Sequence, residues 1–215
     1  MMSKQLSEMS DRYSNLSRGF SLQDSRRSAE AIPYLKALYD SNHYDEPVIR
    51  AYFEAMDGVA DCDALLGRYK ELSSVTSKFD AIKDPAVFNT LGFTLRNCGA
   101  LNPIALLLAK STVELSLQRY PKSDLFRRYP LYNLFTLAFI EGDLARAKNY
   151  IEDSATIVED YPKDIEETKK EVWFPALMKK RPTADKELAV LWNDAMELQK
   201  QKFKEGPPGA KPSTK

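Results

Sequence analysis

The sequence predicts an all-α protein, and two observations support this prediction. First, apolar residues recur at spacings of three and four along nearly every long segment, which is the period of an α-helix, whereas strict alternation is hard to find. Second, an Asp or Asn is followed within two residues by Pro at Asp45-Glu46-Pro47, Asp84-Pro85 and Asn102-Pro103. The side-chain oxygen can accept from free N–H groups of a first helical turn, where Pro lacks a donor that would go unused. Each of these sites is therefore expected to begin a helix.

From these signals we expect helices over the following segments: about 25–41, 46–58, 61–79, 85–98, 103–119, 130–141, 143–160, 164–179 and 184–203, with a short turn over 123–128. Connections of two to six residues would place consecutive helices side by side as antiparallel hairpins. Residues 1–22 are expected to form a separate amphipathic helix, and residues 23–203 a helical-repeat domain. Residues 204–215, which contain Gly206-Pro207-Pro208-Gly209, are expected to be a disordered tail.

The composition is that of a soluble domain and argues against several classes of function. The 215 residues carry 31 Lys+Arg and 31 Asp+Glu, so the formal net charge is +0, without the basic excess of a nucleic-acid binder. No run approaches the roughly 18 apolar residues of a membrane span, so no membrane insertion is expected. One His and two Cys provide few candidate ligands for a metal site and few candidates for a catalytic nucleophile or its base. We therefore expect no metal and no cofactor.

The compartment is predicted from the cysteines and from the N-terminal segment. Cys62 and Cys98 could pair, but their isolated spacing lacks the disulfide framework of a secreted scaffold, which favours a reducing compartment. The N-terminal segment has no apolar core of a secretory signal. We therefore expect a cytoplasmic protein. A mitochondrial location is the alternative, because Arg18-Gly19-Phe20-Ser21 is similar to a presequence cleavage site, although Glu8 and Asp11 argue against it.

The sequence contains an internal repeat. Tyr120-Pro121-Lys122 and Tyr161-Pro162-Lys163 are the same tripeptide 41 residues apart, and inside the two segments Gly99 and Gly142 are 43 residues apart. Each segment is predicted to be a helix, a turn containing Gly, a second helix and a Tyr-Pro stop. A period near 40 predicts stacked helical hairpins, each too thin to bury its own apolar face alone.

Over residues 85–162 these segments resemble the tetratricopeptide repeat family. The matching residues are Phe88, Leu91, Gly92, Leu95 and Gly99 in the first segment, and Gly142-Asp143, Ala147, Ile151 and Pro162 in the second. The resemblance implies a short α-solenoid in which small residues such as Gly92 and Ala147 let paired helices approach closely. The chain departs from the family in its period, which is about 34 there, and in Phe135, where a small residue is expected. An irregular α-bundle or a longer-period solenoid is the alternative.

The resemblance implies a non-catalytic interaction adaptor or assembly subunit that binds a peptide or helix of a partner protein. In the family the first helix of each hairpin lines the inner face. This implies the following partner-binding residues: Asn89, Phe93, Arg96, Asn97, Tyr132, Asn133 and Thr136. The alternative function is an enzyme or small-ligand carrier with a pocket near Tyr39, His43 and Tyr44, where the only His lies close to the Asp45 carboxylate.

The N-terminal segment carries a narrow apolar seam, in which successive apolar residues are spaced by four and three. We call it the docking seam, and it consists of Leu6, Met9, Tyr13, Leu16 and Phe20, following Met2. Such a helix either docks on another protein or caps the terminal hydrophobic face of its own array. The narrowness of the seam slightly favours docking on another chain, and both alternatives stay open.

The basic clusters near the C-terminus predict charged helix ends rather than a nucleic-acid surface. Lys179-Lys180-Arg181 forms the first cluster, and the second is formed by Lys200, Lys202, Lys204, Lys211 and Lys215. The neighbouring Trp173, Phe174 and Trp192 fall at apolar helix positions, so we expect them in the core instead of on a stacking platform.

Overall fold

The computed structural model contains helices and no strands across the residues that it describes, which are 2–24, 27–41, 45–59, 61–98, 102–159 and 164–204. This confirms the all-α prediction for these residues. The chain divides into two compact units, with the boundary after Ser116. The predicted disordered tail lies outside the described residues except for Lys204, which ends a helix.

The first unit contains α1 Met2–Asp24, α2 Ser28–Asp40, α3 Glu46–Gly58, α4 Cys62–Ser74, α5 Thr76–Ala81, α6 Pro85–Asn97 and most of α7 Pro103–Arg119. The second unit contains a 3-10 turn Leu125–Arg127, then α8 Arg128–Glu141, α9 Leu144–Ala155, α10 Ile165–Lys169, α11 Trp173–Lys180 and α12 Ala184–Lys204. The expected helices over 46–58 and 103–119 match α3 and α7 at both ends. The helices expected over 61–79 and 164–179 are each divided in two.

Both divisions have a local cause. At the end of α4 the hydroxyls of Ser73 and Ser74 donate to the carbonyl oxygens of Lys70 and Glu71, so these side chains compete with continuation of the helix. In the second case α11 begins at Trp173 with Pro175 in its first turn, where the missing N–H is tolerated. Pro175 was the available sequence signal for this second start.

The helix starts that contain Pro form as the sequence predicts. Asp84 Oδ1 accepts from the backbone N–H of Ala86 at 2.8 Å, and Asn102 Oδ1 accepts from the N–H groups of the next helix start at 3.0 and 3.2 Å. Asp45 differs, because it precedes α3 without a side-chain cap and forms an ion pair with Arg12. Side-chain caps thus form where α6 and α7 begin, whereas the cap expected from Asp45 at the start of α3 does not form.

The core of the first unit is centred on α3, which packs against α2, α4 and α6. Ile49 and Phe53 of α3 are fully buried, and Tyr39 of α2 packs on Phe53 edge to face. The Glu46 carboxylate accepts from the backbone N–H groups of Lys83 and Asp84, which ties the start of α3 to the segment preceding α6. Burial of α3 by three neighbouring helices therefore organises this unit.

The N-terminal helix α1 lies on α2 and α3 of the same chain. Gly19 is at the closest approach, since a Cβ added there would lie 2.8 Å from Leu35 Cδ2. Leu22 is buried beside it, whereas Tyr13 is 77% exposed. This face of α1 packs on its own chain, and the docking of the helix on another chain stays a prediction.

A disulfide joins Cys62, the first residue of α4, to Cys98, which follows α6. Their Cα atoms are 4.9 Å apart. The expectation that isolated cysteines stay reduced is therefore wrong, because α4 and α6 both pack against α3 and bring two residues distant in sequence together. The cytoplasmic location was argued partly from those cysteines and stays a prediction, since disulfides persist mainly in oxidising compartments.

The two segments of the repeat form close helix pairs in the described residues. In the first, a Cβ added at Gly92 of α6 would overlap Val113 Cγ2 and lie 3.1 Å from the carbonyl oxygen of Ala109, so α6 and α7 approach through the absence of a side chain. In the second, Gly142 ends α8 with φ 83°, and Ala147 of α9 is fully buried. Gly99 and the second Tyr-Pro-Lys tripeptide lie outside the described residues.

Arg181 of the first basic cluster is part of the fold of the second unit. Its Nη2 donates to the carbonyl oxygen of Phe139 at 2.7 Å, and its guanidinium lies 4.6 Å from the centroid of the Phe139 ring. Glu187 lies 3.1 Å from Arg181 Nε. The cation therefore satisfies the C-terminal end of α8, where carbonyl groups have no helical partner.

We predict that Gly92→Ala lowers the free energy of unfolding by about 1–3 kcal/mol, because the added methyl group forces α6 and α7 apart. Gly67→Ala is the matched control. Gly67 lies inside α4 with no atom within 4 Å of an added Cβ, so this change should raise stability by about 0.5–1 kcal/mol through helix propensity. Urea denaturation of both variants measures the effect, and a stabilising Gly92→Ala would contradict the close approach.

We also predict that replacing both cysteines by Ser lowers the free energy of unfolding by about 3–4 kcal/mol, because the crosslink closes a chain segment of 36 residues. Thermal unfolding with and without a reductant measures it. Reductant should lower the melting temperature of the native sequence and leave that of the Cys62→Ser/Cys98→Ser variant unchanged. Equal melting temperatures of the native sequence in both conditions would exclude the crosslink.

Candidate protein-binding surface

The residues predicted to bind a partner from the first repeat segment lie on α6, and they are largely enclosed. Asn89, Phe93 and Asn97 are half-buried and Arg96 is fully buried. The Arg96 guanidinium lies 4.9 Å from the centroid of the Phe93 ring and donates to Asn97 Oδ1 from Nη2 at 3.1 Å. Asn97 in turn donates to Asp57 at 3.2 Å. These side chains stabilise the first unit, and their role in partner binding stays a prediction.

The predicted residues of the second repeat segment are buried in α8. Tyr132 donates to Glu171 Oε1 at 2.8 Å, and the other oxygen of Glu171 accepts from Trp173 Nε1 at 2.7 Å. Thr136 donates to the carbonyl oxygen of Asn133 at 2.8 Å, and both side chains are buried. These residues of α8 are therefore not open here, because Tyr132 joins α8 to the segment between α10 and α11 and Thr136 bonds within the helix.

The docking seam is divided by the packing of α1. Leu16 and Phe20 are half-buried and line a cavity with the first residues of α3, whereas Tyr13 is exposed. The side chains of Leu6 and Met9 lie outside the described part of the chain. The seam thus does not form one continuous open face over the residues that are described.

The alternative pocket around Tyr39 is only partly described, since His43 and Tyr44 lie outside the described residues. Tyr39 itself is buried, with its ring centroid 5.0 Å from that of Tyr52. Burial raises the pKa of the Tyr52 hydroxyl, so this group stays protonated at neutral pH and does not act as a base there. Tyr39 and Tyr52 are core residues of the first unit.

Within the described ranges, no three His, Cys, Asp or Glu side chains are grouped closely enough to hold a metal ion. None of the helices described is both long and apolar enough to span a membrane.

A group of exposed aromatic and apolar side chains lies in the 3-10 turn and the first turn of α8, in the second unit. We call it the turn surface and define it as the side chains of Leu125, Phe126, Arg128 and Tyr129. Leu125 is 57% exposed, Phe126 55% and Tyr129 42%. Large apolar side chains grouped in this way on a polar surface are typical of a protein interaction site.

The backbone that carries the turn surface is held from both sides. Asp124 Oδ1 accepts from the N–H of Phe126 at 2.8 Å, which begins the 3-10 turn. Arg127 points away from the surface, and its Nη1 donates to the carbonyl oxygens of Leu117 and Tyr120 at 3.0 and 3.1 Å. The turn is thereby fixed to the end of α7 before α8 begins.

Within the turn surface the aromatic rings and the Arg128 guanidinium form a stack. The rings of Phe126 and Tyr129 are nearly parallel, with centroids 6.2 Å apart and an interplanar angle of 21°. Arg128 lies 4.8 Å from the centroid of the Tyr129 ring and donates from Nη2 to the Tyr129 hydroxyl at 2.9 Å. Rigid aromatic groups with an adjacent Arg are the composition that carries most binding energy in protein interfaces.

The sequence predicts only the turn over 123–128 and not this surface. An available signal is that Leu125, Phe126 and Tyr129 cluster directly before Pro130, outside the helical period of α8. In comparisons with protein-family models, curated proteins and solved structures, no match was found.

Proposed function

We propose that this chain is a non-catalytic adaptor or assembly subunit that binds a segment of a partner protein. The observation that carries the proposal is the exposed stack of Phe126 and Tyr129 beside Leu125. Exposure of apolar side chains to water is unfavourable by about 25 cal/mol per Å² of apolar area. A partner that covers Leu125, Phe126 and Tyr129 therefore gains binding free energy.

A divergent tetratricopeptide-like construction is part of the proposal. It is supported by the close approach of α6 and α7 at Gly92 and by the α8–α9 hairpin, which turns at Gly142. Paired helices of this kind leave loops and turns at their ends. We place the binding surface at the turn before α8 rather than on the enclosed inner face of the repeats, because the polar residues of α8 already have partners in the chain.

We predict that Phe126→Ser/Tyr129→Ser weakens partner binding by about 30-fold or more, since central aromatic residues of an interface contribute about 2 kcal/mol or more each. The full-length chain captures its partner from extracts of its native cells, and the purified partner is then titrated against each variant. The melting temperature should stay nearly constant, because exposed side chains contribute little to stability.

The matched control is Val190→Ser. Val190 is an equally exposed apolar residue of the same unit, on α12 and outside the turn surface. Its replacement should leave partner binding unchanged. If Phe126→Ser/Tyr129→Ser recovers the partner as well as the native sequence does, the turn surface is not the binding site.

A further inference from the structure

On the basis of the proposed function, the surroundings of Arg128 indicate the chemistry of the partner. Its guanidinium contacts the ring and hydroxyl of Tyr129 within the turn surface, and its carbonyl oxygen accepts from the Ser154 hydroxyl at 2.8 Å. The Nε atom is buried and has no hydrogen-bond acceptor in the described chain. No carboxylate of the described residues lies within 4.0 Å of its guanidinium. A half-buried cation without an anion is unfavourable, because the surrounding protein replaces water around the charge.

Five other surface cations of the described residues have carboxylate partners. In the second unit, Arg146 lies 2.5 Å from Asp143, Lys148 lies 2.8 Å from Asp194, and Lys169 lies 2.9 Å from Asp185. In the first unit Arg27 and Arg68 pair with Glu30 and Glu71. Arg128 differs from these five cations in having no carboxylate partner among the described residues, a property that it shares with Arg18 and Arg50.

The residues around Arg128 add positive charge. Lys122 is exposed, and Arg127 is held by backbone carbonyl oxygens rather than by a carboxylate. Asp124 carries a carboxylate in the same turn, and its Oδ1 accepts from the N–H of Phe126. The turn surface thus combines an apolar aromatic face with the Arg128 cation, in a chain whose net charge is +0.

We infer that the turn surface binds an acidic segment of a partner protein, in which a carboxylate pairs with Arg128 and a neighbouring apolar side chain covers Phe126 and Leu125. A carboxylate suits this position because Arg forms charge-assisted hydrogen bonds with it, which are about twice as strong as neutral ones. Electrostatic complementarity of this kind also raises the association rate and excludes basic partners.

The ring geometry favours a protein segment over a single-stranded nucleic acid. One face of Tyr129 is covered by Arg128, and Phe126 stacks beside the same ring. Single-strand binders offer successive open aromatic faces to successive bases. Here the face of the Phe126 ring that points away from Tyr129 is the aromatic face left for a ligand. One apolar side chain of a partner protein can cover it.

The experiment selects a phage-displayed random 12-residue peptide library on the full-length chain. We expect enriched peptides with Asp or Glu within three residues of an aromatic residue or Leu. Synthetic forms of these peptides are then titrated by fluorescence anisotropy. Arg128→Ala should weaken binding at least tenfold, and replacing Glu by Gln in the peptide should do the same. Arg146→Ala, which removes an exposed cation of α9, is the control and should change the affinity less than twofold.

Several outcomes overturn the inference. Enriched peptides that need Phe126 and Tyr129 but carry no acidic residue would refute the acidic partner and leave the proposed function standing. Peptides whose binding is unchanged by Phe126→Ser/Tyr129→Ser would refute the turn surface itself. Binding of a 20-nucleotide oligothymidylate that is tighter than that of any selected peptide, and is lost with Phe126→Ser, would assign the surface to nucleic acid. A library that yields no enriched peptide would also refute the inference.

Discussion

In α8, ten consecutive residues from Pro130 to Phe139 are buried, and this constraint governs what the second unit can do. A buried polar group without a partner costs about 1–3 kcal/mol, so each polar side chain of α8 must be satisfied inside the protein. Tyr132 accordingly donates to Glu171, and Thr136 donates to the carbonyl oxygen of Asn133. The polar residues that a repeat pattern assigns to a binding face are engaged in holding the fold together.

The same constraint explains why the exposed aromatic groups lie at the start of α8. The 3-10 turn has three residues, and Arg127 turns back to satisfy the end of α7, so the side chains of Leu125 and Phe126 have no core to enter. Tyr129 lies in the first turn of α8 and stacks on Phe126 instead. The Arg128 guanidinium lies over the Tyr129 ring, and its charge has no carboxylate partner among the described residues. The burial of α8 and the exposure of the turn surface are thus two consequences of how the chain enters this helix.

Features set by local chemistry could be predicted from the sequence. Asp84 and Asn102 cap helices because their oxygens reach N–H groups two or three residues away, and Gly142 ends α8 because only glycine adopts its φ of 83° without strain. These interactions lie within one turn, so spacing alone determines them. Pro175 shows that a local signal can also be missed when an apolar period continues across it.

Features that depend on distant segments could not be predicted. Cys62 and Cys98 are joined because α4 and α6 pack on a common helix, which no spacing rule expresses. Arg181 stands in a basic cluster in sequence, yet it satisfies the carbonyl of Phe139, 42 residues away. For the same reason the sequence could not predict that Phe126 is exposed and Tyr132 buried, since both are aromatic residues within one helical turn of Pro130.

Hydroxyl-radical footprinting of the isolated full-length chain tests the central claim most directly, because it compares the solvent accessibility of individual aromatic side chains. The account predicts rapid modification of Phe126 and Tyr129 and strong protection of Tyr132 and Phe135, which are buried in the same helical segment. Modification of Tyr132 and Phe135 as fast as that of Phe126 would mean that the inner face of the repeat is open, and would contradict the placement of the binding surface at the turn.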